Sequence, residues 1–258
     1  MQAHQQFFDA LNQFFDKIYV ITIERAKERR DILEPQLAGL QYSYLYGMDK
    51  TLLEKDTDLL HSYYDEQKAK LLHRYNKPMV IGHVACSISH RMVYEDMVRN
   101  NYKNALIFED DVVPDWAQLH HIPEVLAQLP ADWDMLYWGF DKNGDFGWSE
   151  RMKQLFYHGL SVFKTLKWNH TMIGNLHAKP YSSHLKKAGY HDLLHAYSLS
   201  LDGAKKMIEL QSPIALNADP AVAYAVSNGW LKAFVTQPMI FLQEVQVHPE
   251  TYHSFINE

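Results

Sequence analysis

A single cysteine, Cys86, occurs among 258 residues. One thiol cannot close an intramolecular disulfide or supply a cysteine-based zinc finger. Long apolar runs are also missing, and none approaches the ~20 residues that a membrane span needs. There is no basic excess. The 25 lysines and arginines face 31 aspartates and glutamates, a formal net charge of −6, which excludes nucleic-acid binding driven by bulk charge. The start of the chain, MQAHQQFFDALNQFFD, has no basic opening, no continuous apolar stretch and no small-residue cleavage site. A secretory leader is therefore not expected, and a cytoplasmic location is.

What is present reads as one folded unit. Hydrophobic residues make up 47% and charged residues 22%, enough apolar material for a real core at this length. Phe7, Leu11, Phe14 and Phe15 recur at helical spacing, so residues 1–16 are predicted to form a helix packed on the body. It lacks the basic face of a membrane-surface helix. Lys17 to Ile23 (KIYVITI) is a strand of β-branched and aromatic residues, followed by a charged helical stretch from Glu24 to Leu37. Tyr42 to Tyr46 reads as a second strand and Leu52 to Tyr75 as polar helix. Gly82 opens a helix carrying Val84, Ile88 and Met92 on one face. Ala105 to Phe108 and Asp134 to Trp138 are further strands. The alternation predicts an α/β architecture with a mainly parallel sheet, and residues 17–258 are taken as a single domain.

The charge is unevenly spread. Between Arg151 and Tyr190 there is no aspartate or glutamate, and seven basic residues fall there: Arg151, Lys153, Lys164, Lys167, Lys179, Lys186 and Lys187. A positive patch on an acidic chain attracts an anion or an anionic surface. With Tyr157, Phe163, Trp168 and Tyr181 alongside, the segment reads as a lid or acceptor-binding arm, or as a place of peripheral membrane contact.

The chemistry concentrates at Ala105 to Asp115, ALIFEDDVVPD. An apolar strand runs into Glu109, Asp110 and Asp111. Three adjacent carboxylates disfavour each other's ionisation unless something compensates them. A hard divalent cation does so naturally, since Mg²⁺ or Mn²⁺ takes one or two carboxylates plus phosphate oxygens. The carboxyl ends of parallel strands are also where such sheets bind ligands. After the first strand come Glu24, Arg25, Lys27, Arg29 and Arg30. Arg25 is the better placed to meet a diphosphate, while Arg29 and Arg30 read as solvated helix charges beside Glu28 and Asp31.

Taken together, these segments resemble glycosyltransferase family 25, the lipopolysaccharide and collagen galactosyltransferase-like family. The matching segments are IYVITIER in strand one; Gly82-His83-Val84-Ala85-Cys86-Ser87-Ile88-Ser89-His90; the acidic triplet; Ala196-Tyr197-Ser198-Leu199-Ser200 before Gly203-Ala204; and Asp219 with the later Pro238 and Gln243. Thr22 stands where the family usually has Asn, and Ala85 where it usually has Gly. The resemblance implies a GT-A-like, inverting, metal-dependent transferase. It would move a hexose, galactose in the first instance, from a UDP-sugar to a saccharide or glycolipid acceptor such as lipooligosaccharide. It further implies that Asp111, with Glu109, binds Mn²⁺ or Mg²⁺. Thr22, Glu24, Arg25, Ser89, His90, Glu109 and Asp110 would contact the donor, and Asp219 would be the general base. The competing structural roles are a helix cap for Asp219 and for Asp202, and hydrogen bonding within a helix for Ser89 and His90.

Other patterns carry less. His191-Asp192-Leu193-Leu194-His195 approximates a zinc-protease helix but runs directly into a strand-like AYSLSL, which leaves the helix no room. Cys86 reads as a buried, inert thiol in a helix. His248 is a candidate late metal ligand. A non-catalytic sugar- or nucleotide-binding protein of the same fold is the alternative to an enzyme.

Overall fold

The computed structural model describes residues 2–73, 75–163, 166–248 and 250. Met1, Arg74, Lys164, Thr165, Pro249 and residues 251–258 of the sequence-derived ranges lie outside them. Helix α1 (Gln2–Phe14) buries Phe8 and Leu11, with Phe15 just beyond its end. The phenylalanine spacing thus marks a packed helix and not a surface anchor. Strand β1 (Lys17–Thr22) follows with five of its six residues buried. Helix α2 (Lys27–Gln36) starts three residues later than the charge pattern suggests, because Glu24 and Arg25 form a turn. Strand β2 (Tyr42–Tyr46) lies parallel to β1. The polar stretch after it breaks into α3 (Lys50–Lys55), α4 (Thr57–Tyr63) and α5 (Glu66–Leu72), each capped by an aspartate side chain: Asp49, Asp56 and Asp65. An aspartate acceptor satisfies free amide groups at a helix start, so three such caps within seventeen residues divide what one helix would span.

Helix α6 (Ile81–Asn100) leads into β3 (Asn104–Glu109). Then come β4 (Val112–Pro114), α7 (Ile122–Gln128), β5 (Met135–Tyr137), α8 (Trp148–Val162) and α9 (His170–Gly174). They are followed by β6 (Lys179–Pro180), β7 (Leu185–Lys187), β8 (Ala196–Ser200), α10 (Leu201–Leu210) and α11 (Ala218–Ser227). The last described elements are β9 (Ala233–Thr236), β10 (Phe241–Gln243) and α12 (Glu244–Val247).

Eight strands form one sheet in the order β2-β1-β3-β8-β5-β9-β7-β6. Pairing directions place six of them parallel to one another, with β8 and β7 reversed. The sheet is therefore mainly parallel, as predicted, but a reversed strand lies beside β3. Both faces are covered. Tyr19, Ile21, Ala105 and Ile107 pack under α6, α10 and α11, whereas Ile18, Val20, Leu106 and Phe108 pack under α1, α2 and α7. Successive residues of a strand point to opposite faces, so a sheet buried on both sides needs continuous apolar runs such as KIYVIT and ALIF. The small antiparallel pair β4–β10 sits beyond the end of β3 and ties the C-terminal part of the chain to the acidic segment.

Candidate active site

Register places the carboxylates. Ile21 of β1 pairs with Glu109 of β3, so Thr22 and Asp110 come next at the same sheet edge. Thr22 Oγ1 donates to Asp110 Oδ2 at 2.7 Å, and Arg29 Nη1 donates to Asp110 Oδ1 at 2.8 Å. The same guanidinium nitrogen is 3.9 Å from Asp111 Oδ2. Gln243, at the end of β10, donates from Nε2 to that oxygen at 3.0 Å, and the Glu244 amide donates to the Asp111 carbonyl at 2.8 Å. Burial raises the Asp110 pKa against the pull of Arg29 and Thr22.

Glu109 turns the other way, toward α6. His90 Nε2 is 3.1 Å from Glu109 Oε1, His90 Nδ1 is 2.8 Å from the Tyr197 hydroxyl, and Tyr197 donates to the Tyr94 hydroxyl at 3.1 Å. Burial holds His90 neutral by lowering its pKa to about 4. Burial, then the charges of Asp111 and Asp110, push Glu109 well above the ordinary carboxylate range. A hydroxyl has one proton. With Tyr197 giving its own to Tyr94, the imidazole carries its proton on Nδ1, which leaves Nε2 to accept from Glu109 whenever that carboxyl is protonated. Cys86, one helical turn before His90, completes a thiol–imidazole–carboxylate group whose candidate ligand atoms lie within 4.8 Å of one another. Burial raises the Cys86 thiol pKa, so it stays protonated.

Two cavities meet at Arg29 and Asp110. One, of about 120 Å³, has Thr22, Arg25, Ser89, His90 and Glu109 in its walls. The other, of about 600 Å³, has Asp111, Trp116, Glu244 and His248 in its walls. Six of the seven sequence-derived donor contacts thus line the smaller cavity, and one of them, Asp110, lines both. Glu24 does not join them: it is exposed, and its carbonyl accepts from Arg30 Nη2 at 2.9 Å. Arg25 reaches the cavity wall while paired with Asp49 at 2.8 Å. Ser89 Oγ donates to the Ala85 carbonyl at 2.8 Å and accepts from the Met48 amide at 2.9 Å. A side chain at Gly47 would run into that hydroxyl, so the loop after β2 approaches α6 only because residue 47 has no Cβ.

Asp219 is half-buried in the first turn of α11. It does not cap its own helix. Oδ2 accepts from the Leu193 amide at 3.0 Å, and Leu193 has the left-handed φ of 71°. A β-carbon at positive φ costs about 1–3 kcal/mol, which the aspartate helps to hold. No donor reaches the other Asp219 oxygen among the described residues. Burial and then the Glu109 charge push the Asp219 pKa up to about 7. Asp219 lines neither cavity.

Sequence reasoning missed three residues. Arg29 is the guanidinium that holds Asp110, although the charge pattern assigns it to solvent. The true start of α2 at Lys27 turns Arg29 inward, and only the turn at Glu24 and Arg25 would have signalled it. Gln243 and Tyr197 are matched positions whose work, steadying Asp111 and His90, depends on long-range pairing. Asp202 pairs with Lys205, and Ser200 caps α10 in its place. His191 and His195 are buried in separate structural bonds, to the Lys142 and Phe241 carbonyls.

A family model described as "Glycosyltransferase family 25 (LPS biosynthesis protein)" matches residues 15–222. The chain belongs to glycosyltransferase family 25. Relatives of this family 25 chain include a "Glycosyltransferase 25 family member" of Aedes aegypti, 27% identical over 74% of this chain and 28% of that protein. "Procollagen galactosyltransferase 2" of Mus musculus is 24% identical over 88% of this chain and 35% of that protein. "Probable inactive glycosyltransferase 25 family member 3" of Bos taurus is 24% identical over 88% of this chain and 36% of that protein. The chain thus spans about a third of the length of these relatives. Its single α/β domain with a mainly parallel sheet is consistent with a GT-A-like fold. No described helix is long and apolar enough to cross a membrane.

Proposed function

We propose that this family 25 chain is a metal-dependent, inverting hexosyltransferase. In this reading it moves galactose from a UDP-sugar to a saccharide acceptor such as lipooligosaccharide, in the cytoplasm. One observation carries the reading: three consecutive carboxylates stand at the end of β3, two of them, Asp110 and Asp111, at 2.8 and 3.9 Å from a single guanidinium, Arg29, where two cavities meet.

Oxygen donors with surplus negative charge suit Mn²⁺ or Mg²⁺. Asp111 and Glu109 would hold the ion, and when bound it would supply positive charge for the diphosphate that departs. Arg29 orients Asp110, and Thr22 fixes the second Asp110 oxygen. Arg25, Ser89 and His90 shape the donor cavity, with His90 held neutral and immobile by Tyr197. Asp219 takes the proton of the acceptor hydroxyl as that oxygen bonds to the anomeric carbon and the bond from that carbon to UDP breaks. A base with a pKa near 7 is matched to such a transfer at neutral pH. Its Leu193 contact fixes one oxygen and leaves the other for the acceptor.

The name of the Bos taurus relative favours a second reading, a nucleotide- or sugar-binding protein without turnover. A screen of UDP-hexoses for UDP release, with and without Mn²⁺, separates the two. Release from UDP-galactose that needs the metal supports the transferase. Stabilisation by UDP with no release from any hexose supports the binding protein.

A further inference from the structure

Helix α8 is built the wrong way round for a globular surface. None of its fifteen residues is buried. Trp148, Met152, Leu155, Phe156 and Val162 are 77%, 50%, 64%, 63% and 67% exposed. At 100° per residue they fall within about 120° of the helix circumference, as one stripe. The opposite side faces the protein and is mainly polar, with Tyr157 set edge-on against Trp168. Gln154 Nε2 donates to the Ile173 carbonyl at 2.6 Å, and Ser161 Oγ donates to the Trp168 carbonyl at 3.0 Å. His158 and His170 bring their Nδ1 atoms to 2.9 Å. Polar anchoring inward and apolar display outward expose a contiguous stripe that an isolated domain would bury.

Charge indicates what covers it. Arg151 and Lys153 are exposed and flank the stripe. Lys187, on β7, is exposed in the same acid-free segment. The one acidic side chain of α8, Glu150, lies on the side away from the stripe and is engaged by the Gly147 amide and the Ser149 hydroxyl. On a chain of net charge −6, all of this helix beyond Glu150 thus lies in the segment without acidic residues. Apolar side chains edged by cations match the acyl boundary and anionic headgroups of a bilayer.

We propose that α8 is a monotopic membrane-docking helix that seats Trp148, Met152, Leu155, Phe156 and Val162 in an anionic lipid surface. The inference deepens the acceptor side of the proposed transferase: α8 packs on α9, and α9 packs on α11, whose first turn carries Asp219. A glycolipid headgroup held at that surface would meet the face of the molecule that carries the candidate base. The docking itself needs no turnover.

The test is co-sedimentation of the intact chain with vesicles of phosphatidylcholine plus phosphatidylglycerol, and of phosphatidylcholine alone. The chain is expected to sediment with the anionic vesicles and far less with the neutral ones. Leu155→Glu together with Phe156→Glu should weaken binding by about tenfold or more per side chain. Arg151→Gln with Lys153→Gln should weaken it by about fivefold per charge and flatten its salt dependence. All four sites are exposed, so melting should be unchanged, and the basic-residue variant keeps the test valid should the apolar one misfold. Failure to sediment with either vesicle overturns the proposal. So does unchanged binding by both variants, or a dimer that the apolar variant converts to monomer in the absence of lipid. Because the readout needs neither donor nor acceptor, a negative result leaves the transferase reading standing, and a failed UDP-hexose screen leaves this one standing.

Discussion

The strand-end site and the α8 arm depart from ordinary globular rules in opposite directions. At the end of β3, Glu109, Asp110 and Asp111 are drawn out of water and answered by Arg29, Thr22, Gln243 and His90. On α8, tryptophan, leucine and phenylalanine stand in water while glutamine and serine face inward. Buried charge in excess of its counter-charge and exposed apolar area both raise the free energy of the isolated chain. The site is short of positive charge, and the arm is short of apolar cover. A protein that breaks local rules in two places does so where something else completes it.

The contrast can be broken experimentally. Asp111→Asn has the largest expected effect: metal-dependent UDP release should fall by on the order of a thousandfold. The fold should persist, because an amide oxygen can still accept from Gln243. Near-normal release at low Mn²⁺, measured beside a thermal melt, would remove the metal role. Arg29→Met comes next. It leaves two buried carboxylates without their guanidinium and should cost about 3 kcal/mol in a denaturant titration, with part of the loss recovered on adding Mn²⁺. The same titration on the Leu155→Glu, Phe156→Glu variant should show less than about 0.5 kcal/mol. If the two costs prove alike, the arm is packed and the comparison fails.

Smaller than the effect of either site substitution is a pH dependence. The folded pKa of Asp219, about 7, exceeds the ordinary unfolded value. Its contribution is complete at acid pH and is lost as pH rises toward and through 7. The buried histidines His90, His191 and His195, each lowered to about 4, act oppositely, losing stability as pH falls below about 6.5. Between pH 6.5 and 8 the carboxylates dominate. Metal-free stability should therefore fall by about 1 kcal/mol across that window, and Asp219→Asn should flatten the slope. An unchanged slope in that variant would place the titrating group elsewhere.

Much of the site was legible in one dimension because its residues sit at strand ends. KIYVIT running into a polar turn, and ALIF running into EDD, announce buried strands whose tips carry chemistry. Parallel pairing then brings Thr22 beside Asp110 with no further information needed. Arg29 was not legible. Its direction depends on where α2 begins, and a charged run does not mark that boundary. Asp219 was legible as a candidate base near a helix start, but its bond to Leu193 crosses 26 residues and overrides the cap that local pattern suggests. The exposed stripe of α8 was half legible. Spacing shows that Trp148, Met152, Leu155 and Phe156 share a face, yet such a face ordinarily turns inward.

By itself the sequence determined the α/β alternation, the two-faced burial of the central strands, the packed N-terminal helix and the acidic tip. Each follows from side-chain periodicity and short-range sterics, which act within a few residues. Tertiary structure alone decided that β8 runs against its neighbours, that Gln243 steadies Asp111 and Tyr197 steadies His90, and which face of α8 meets water. Those outcomes depend on contacts between segments up to 132 residues apart, whose geometry exists only once the sheet has closed over both of its faces.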